Sequence, residues 1–172
     1  MRYVIREKLF HLAEDSAITD ETGRPVFRVD GKIFSLHHTL VMRDMAGNEV
    51  ATVRQHMIAL SPTFEITRAG MELAEVRKKL FSPFIERFTI DIPGPDDLEV
   101  TGSLFEHEFT VSRQGAVVAT VSRAWISLSA SYGVDIAPGE DDVLILATVL
   151  ALAPPCAKRR CGAAPQASFA GA

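Results

Sequence analysis

The chain has 172 residues, 47% of them apolar and 23% charged, with a formal net charge of −4. That size suits one domain with a sizeable core, and the composition is that of an ordinary soluble globular protein. The acidic balance excludes a general nucleic-acid binder, which is basic overall.

The opening Met1-Arg2-Tyr3-Val4-Ile5-Arg6-Glu7 puts charges where a signal peptide needs an apolar stretch, so a cytoplasmic location is expected. Tyr3 to Phe10 reads as a lead-in strand. A repeat then begins. Four segments share one register counted from the turn glycines Gly23, Gly47, Gly70 and Gly115. Plus three is Val26, Val50, Leu73 and Val118, and plus six is Val29, Val53, Val76 and Val121. Plus ten and eleven are the apolar pairs Ile33-Phe34, Met57-Ile58, Leu80-Phe81 and Trp125-Ile126. A fixed period of this length marks one supersecondary unit used repeatedly.

Each unit reads as a hairpin. In one of them Val41 to Arg43 is a strand, Asp44-Met45-Ala46-Gly47-Asn48 a turn, and Val50 to Val53 the return strand. Plus five is polar (Arg28, Thr52, Glu75, Thr120), whereas plus four is Phe27, Ala51, Ala74 and Ala119. Side chains alternate across a strand, so plus four and plus six share the core face. Three alanines at plus four imply that something bulky approaches that face closely.

The glycine spacings are 24, 23 and 45 residues, so a degenerate unit is expected in the last gap. Phe88 to Ile92, the turn from Pro93 to Asp97, and Leu98-Glu99-Val100 fit it. Tyr132 to Ile136 is a final strand. The tally is ten to twelve short antiparallel strands. Glu140-Asp141-Asp142 then leads into Val143 to Ala153, apolar on every face and stopped by Pro154-Pro155. Either Asp141 or Asp142 is placed to cap a helix. Its 11 apolar residues fall short of the ~20 that span a bilayer, and a helix apolar all round belongs inside something. A barrel of about twelve strands has a lumen that such a helix would plug. The expected fold is therefore an all-β closed antiparallel barrel of about 12 strands around a C-terminal hydrophobic helix at about 142–153. A β-propeller is the structural rival, but the chain holds too few blades and leaves the helix without a place. Residues 154–172, rich in Pro, Ala, Gly and Ser, read as a disordered tail after a domain at 1–153.

Met1-Arg2-Tyr3-Val4-Ile5-Arg6-Glu7-Lys8-Leu9-Phe10, Val29-Asp30-Gly31-Lys32-Ile33-Phe34-Ser35-Leu36, Pro62-Thr63-Phe64-Glu65-Ile66 and Phe105-Glu106-His107-Glu108-Phe109 resemble segments of the LURP-one-related (LOR) family. The stretch from Tyr132 through Asp135 to Asp142 and the apolar run is similar to that family's ending. The likeness covers residues 1 to about 153. It implies the tubby-like fold, a twelve-stranded barrel around a hydrophobic C-terminal helix. It implies no catalytic residues, and lipid binding by relatives of the fold transfers only as analogy.

No catalytic, metal or cofactor constellation emerges. In Glu106-His107-Glu108, alternation puts the histidine on the opposite face from both glutamates. His37-His38 reads as a linker between strands, and HExxH, P-loop and GxSxG motifs are absent. Cys156 and Cys161 lack the further ligands of a zinc site. Beside Lys158-Arg159-Arg160 they would pair a lipid chain with a basic patch if acylated.

One charge pattern follows the repeat. Lys32, Arg54, Arg77, Lys78, Lys79 and Arg123 occupy glycine plus seven to nine, where the one acid is Asp30. Equal offsets in an up-and-down barrel fall at similar heights, so these cations are candidates to take an anionic lipid head group. The expected function is a non-enzymatic binding domain for anionic phospholipid or a membrane surface, without cofactor. The alternatives are a protein-interaction or scaffold module and, further off, an enzyme with an unrecognised site.

Overall fold

The computed structural model describes residues 1–6, 16–34, 37–58, 61–79, 86–103, 108–123 and 131–152. Twelve strands run in chain order: β1 (Arg2–Arg6), β2 (Ser16–Asp20), β3 (Pro25–Phe34), β4 (His37–Asp44), β5 (Glu49–Ile58), β6 (Ser61–Arg68), β7 (Met71–Lys78), β8 (Glu86–Asp91), β9 (Leu98–Ser103), β10 (Glu108–Arg113), β11 (Ala116–Ser122) and β12 (Ser131–Ile136), followed by helix α1 (Asp142–Leu152). Every strand pairs antiparallel with its chain neighbours, and β1 pairs with β12 to close the barrel. His37-His38 opens β4, opposite Phe34 and Ile33, and so is not a linker. Its period-two fit with Thr39 and Val41 outweighs the polar look of the pair. The apolar pairs at plus ten and eleven, His11, Glu106-His107, and the tail with Cys156 and Cys161 lie outside the described residues or have undescribed side chains.

The glycine turns gather at one end. Gly23 (φ 84°) and Gly47 (φ 89°) close three-residue loops. In each, an aspartate carbonyl accepts the glycine N–H at 3.0 Å, from Gly23 to Asp20 and from Gly47 to Asp44. The same aspartates fold their side chains over the turn. Asp20 Oδ1 accepts the N–H of Thr22 and Arg24, and Asp44 Oδ1 that of Ala46 and Asn48. The β6–β7 and β10–β11 turns are tighter, with two successive left-handed residues, Ala69-Gly70 and Gln114-Gly115. That is the type I′ geometry matched to strand twist.

The repeat's plus-three residue has a specific job. Opposite β2, β4, β6 and β10 the register slips by one residue. The extra residue on the return strand is Val26, Val50, Leu73 and Val118 in turn. A β-bulge puts two residues against one and breaks the alternation. Apolar side chains therefore follow one another at plus three and plus four. The first is half-buried or buried, and Ala51, Ala74 and Ala119 behind it are buried.

Helix α1 fills the barrel. Leu144 through Leu152 are all buried. The helix packs against β5, β6 and β7 on one wall and against β12 on the opposite one. On β5 and β7 the wall it meets carries Ala51 and Ala74, and β8, β9 and β10, on one side between β7 and the opposite wall, carry Phe88, Leu98 and Phe109. Small residues thus admit the helix backbone, and large ones fill the gap beside it.

Asp141 is the helix cap: its Oδ1 accepts the Leu144 N–H at 3.1 Å. Three strands grip this end. Arg68 Nη2 of β6 donates to Asp141 at 2.8 Å, Tyr3 Oη of β1 donates to Asp142 at 2.7 Å, and Arg113 of β10 pairs with Glu140 at 2.9 Å. Burial would push the Asp141 carboxyl up, but the Arg68 hydrogen bond and the Leu144 N–H outweigh it and hold it below its ordinary range. The Tyr3 hydroxyl is raised well above its ordinary value by burial and by its bond to Asp142.

Candidate functional site

The register sets the heights of the predicted cations. Lys32 faces Thr39, Thr39 faces Arg54, Arg54 faces Glu65, and Glu65 faces Glu75. A plus-nine residue is thus level with plus seven of the next unit and plus five of the one after. The same step carries Lys78 through Phe88, Val100 and Val111 to Ala119. Two residues per pair of strands corresponds to a strand tilt of about 35°, as closed barrels require. In a barrel so tilted, equal offsets return to the same height. Arg54 and Arg77 are at one level, with Lys78 and Arg123 one residue further from the glycine turns.

The belt is uneven. Arg54, Arg77, Lys78 and Lys79 lie within β5 to the end of β7, all exposed. Arg123 follows β11, four strands beyond β7, and its backbone N–H donates to Glu108 Oε1 at 2.8 Å. The Lys32 backbone lies on β3, and its side chain is outside the described set.

Carboxylates are threaded between these cations. Arg77 grips Glu75 through Nε at 2.9 Å and Nη2 at 2.6 Å, and reaches Asp91 at 3.3 Å. Lys79 pairs with Glu99 at 2.6 Å. His56 Nε2 lies 3.0 Å from Glu65. Lys78 sits over the Phe88 ring, 5.7 Å from its centroid. The Arg77 hydrogen bond lowers the Glu75 carboxyl and the Lys79 bond lowers Glu99. Arg54 has no ion pair among the described residues. The acids that sequence reasoning missed come mostly from neighbouring strands. Glu75, two residues from Arg77 on the same face, was the one signal within reach. Among the described residues no three His, Cys, Asp or Glu side chains form a metal-binding group, and no helix is long and apolar enough to cross a membrane.

The comparisons with known proteins agree with this architecture. The uncharacterized protein YxjI of Bacillus subtilis (strain 168) is 32% identical over 146 residues, 84% of this chain and 86% of that protein. Protein LURP-one-related 15 of Arabidopsis thaliana is 28% identical over 67 residues, which are 39% of this chain and 31% of that one. A crystal structure of an Arabidopsis thaliana protein superposes with a TM-score of 0.62 at 20% identity, covering 88% of each chain, and shares the fold. The LURP-one-related sequence model matches residues 1–153, the barrel strands and the helix together, and the chain belongs to that family.

Proposed function

We propose that this domain works by binding rather than by catalysis, and that the wall of Arg54, Arg77, Lys78 and Lys79 engages anionic phospholipid head groups at a cytoplasmic membrane surface. One observation carries the reading. The helix occupies the barrel interior, with Leu144 to Leu152 buried, so recognition falls to the outer surface: Arg54 of β5 and Arg77 and Lys79 at the end of β7 point outward on either side of β6, and exposed Lys78, one residue out of phase, lies at the rim over Phe88. The ion pairs do not block it. Arg77 and Lys79 are 56% and 47% exposed, and exposed pairs contribute about 0–1 kcal/mol. A head-group phosphate can therefore displace Glu99 from Lys79 at small cost, whereas the two-pronged Arg77–Glu75 pair, with Glu75 only 23% exposed, is held more firmly. The Cys156 and Cys161 region, if acylated, would add a second anchor.

The test is vesicle co-sedimentation with neutral phosphatidylcholine and with the same lipid containing phosphatidylserine or a phosphoinositide, at two salt concentrations. Sedimentation is expected with the anionic vesicles alone and weakens as salt rises. Replacing Arg54, Arg77, Lys78 and Lys79 by alanine should remove it. If that variant keeps its unfolding transition and sediments as the parent does, the proposal fails.

A further inference from the structure

The opposite end of the barrel differs in character. Among the described residues the exposed large hydrophobics are Met1 (72%), Met45 (46%), Met71 (71%) and Val117 (58%). All four lie at the glycine-turn end. Met45 is inside the β4–β5 turn, Met71 follows Gly70, Val117 begins the return after Gly115, and Met1 hydrogen-bonds Ile136 where β12 ends. Exposed methionines are adaptable apolar contacts that suit docking partners of varied shape.

The charges there are one-sided in a way the net charge conceals. Arg2, Arg43, Arg68 and Arg113 are each closed by an ion pair, to Asp135, Asp30, Asp141 and Glu140. Arg24 is the remaining arginine of the turns. Glu21, Glu49, Glu72, Asp96 and Asp97 have no cation within ion-pair distance among the described residues. The cations are spent internally and the acids are left over. A cleft of about 440 Å³ opens on the same end, with Met1, Tyr3 and Val26 among its walls, Arg2 paired to Asp135 on one side, and Asp20 and Glu21 as its remaining carboxylates. Apolar walls beside carboxylates fit a side chain with an aliphatic stem and a cationic head.

We infer that the glycine-turn end is a docking surface for a basic, amphipathic peptide segment of a partner protein, its leucine-like residues on the methionines and a Lys or Arg in the Glu21 cleft. Charge complementarity selects this occupant. An anionic membrane is repelled by the leftover acids, so this surface and the basic wall address different partners from opposite ends.

A fluorescein-labelled twelve-residue peptide of alternating leucine and lysine, titrated by anisotropy without lipid, tests the assignment. Binding is expected that weakens with salt, falls about tenfold or more in Glu21→Lys/Glu72→Lys, and is reduced in Met45→Ser/Met71→Ser. A leucine–glutamate peptide should not bind, and a serine–lysine peptide should bind less tightly. These substitutions lie on exposed turn positions, and an unchanged melting temperature verifies the fold. Equal binding to the charge-reversed protein, or binding of the acidic peptide, overturns the inference. So does concentration-dependent dimerisation lost in Glu21→Lys, which would assign the surface to a second copy. Alanine replacement of Arg54, Arg77, Lys78 and Lys79 leaves peptide binding unchanged, so this inference and the lipid reading fail or stand separately.

Discussion

Gly102 stands where a side chain has no room. Its φ is 144°, and a Cβ built there would lie 2.5 Å from the Glu108 carbonyl oxygen and 2.6 Å from Phe109 Cα. Both obstacles are backbone or close to it, so neither can swing aside. Gly102→Ala should cost about 3 kcal/mol or more, read as a lower denaturation midpoint. Thr148 is the reverse case. It is fully buried in the helix, and its hydroxyl has no hydrogen-bond partner. Thr148→Val removes an unmet polar group at constant shape, so stability should rise by about 1–2 kcal/mol. A third test concerns the cap. The Asp141 carboxyl titrates below its ordinary 3.8. Its stabilisation is therefore full above about pH 4 and is lost as pH falls through the depressed value. Arg68→Ala should destabilise most near neutral pH, and the gap from the parent should close as pH falls through the depressed Asp141 value. A gap independent of pH would show that Arg68 acts through packing instead.

Strands differ in how firmly they are held. Among the described residues β1 pairs with β12 over five residues, but with β2 at Tyr3–Asp20 and Val4–Thr19 alone. This seam is the shortest ladder among the described residues, and local openings start where backbone hydrogen bonds are fewest. Native-state hydrogen exchange should show β2 amides exchanging ahead of those of β5 and β6, which pair over seven residues. The seam could not be read from sequence, since pairing depends on register between strands that a single hairpin does not reveal. The hairpins themselves were legible, because Gly23, Gly47, Gly70 and Gly115 mark their turns and Val29, Val53, Val76 and Val121 keep one face. The bulge was hidden in plain view: Val26 and Ala51's neighbour Val50 appeared as ordinary strand residues, and an insertion shows only against the partner strand. The same reason conceals the acids around the basic wall. Lys79 and Glu99 are 20 residues apart and meet only through β8 and β9.

For the molecule as a whole, the helix and the barrel are one core. Ile145, Leu146 and Val149 are fully buried among strands from opposite walls. Leu146→Ala should cost about 2–5 kcal/mol, and the loss should appear as one cooperative transition in which helical and sheet signals fall together. A helix that melted first would mean the barrel is stable while hollow. The distribution of charge also belongs to this scale. Cations on the wall of β5 to β7 and unmatched acids at the turns give the domain two unlike ends, a feature the net charge of −4 averages away.

The order of synthesis gives the buried helix a last consequence. A ribosome delivers all twelve strands before Asp142, yet their inner faces have nothing to pack on until Leu152 has emerged. The strand that must meet β1 is β12, so closure also waits for the far end of the chain. During that interval the nascent sheet is open-edged and apolar on one face, the condition in which chains aggregate. Closure of the barrel is therefore postponed, while each hairpin is free to form as it emerges. A cell that makes this protein must shelter about 140 residues of unfinished barrel, and chaperone demand should scale with how slowly the final segment is translated.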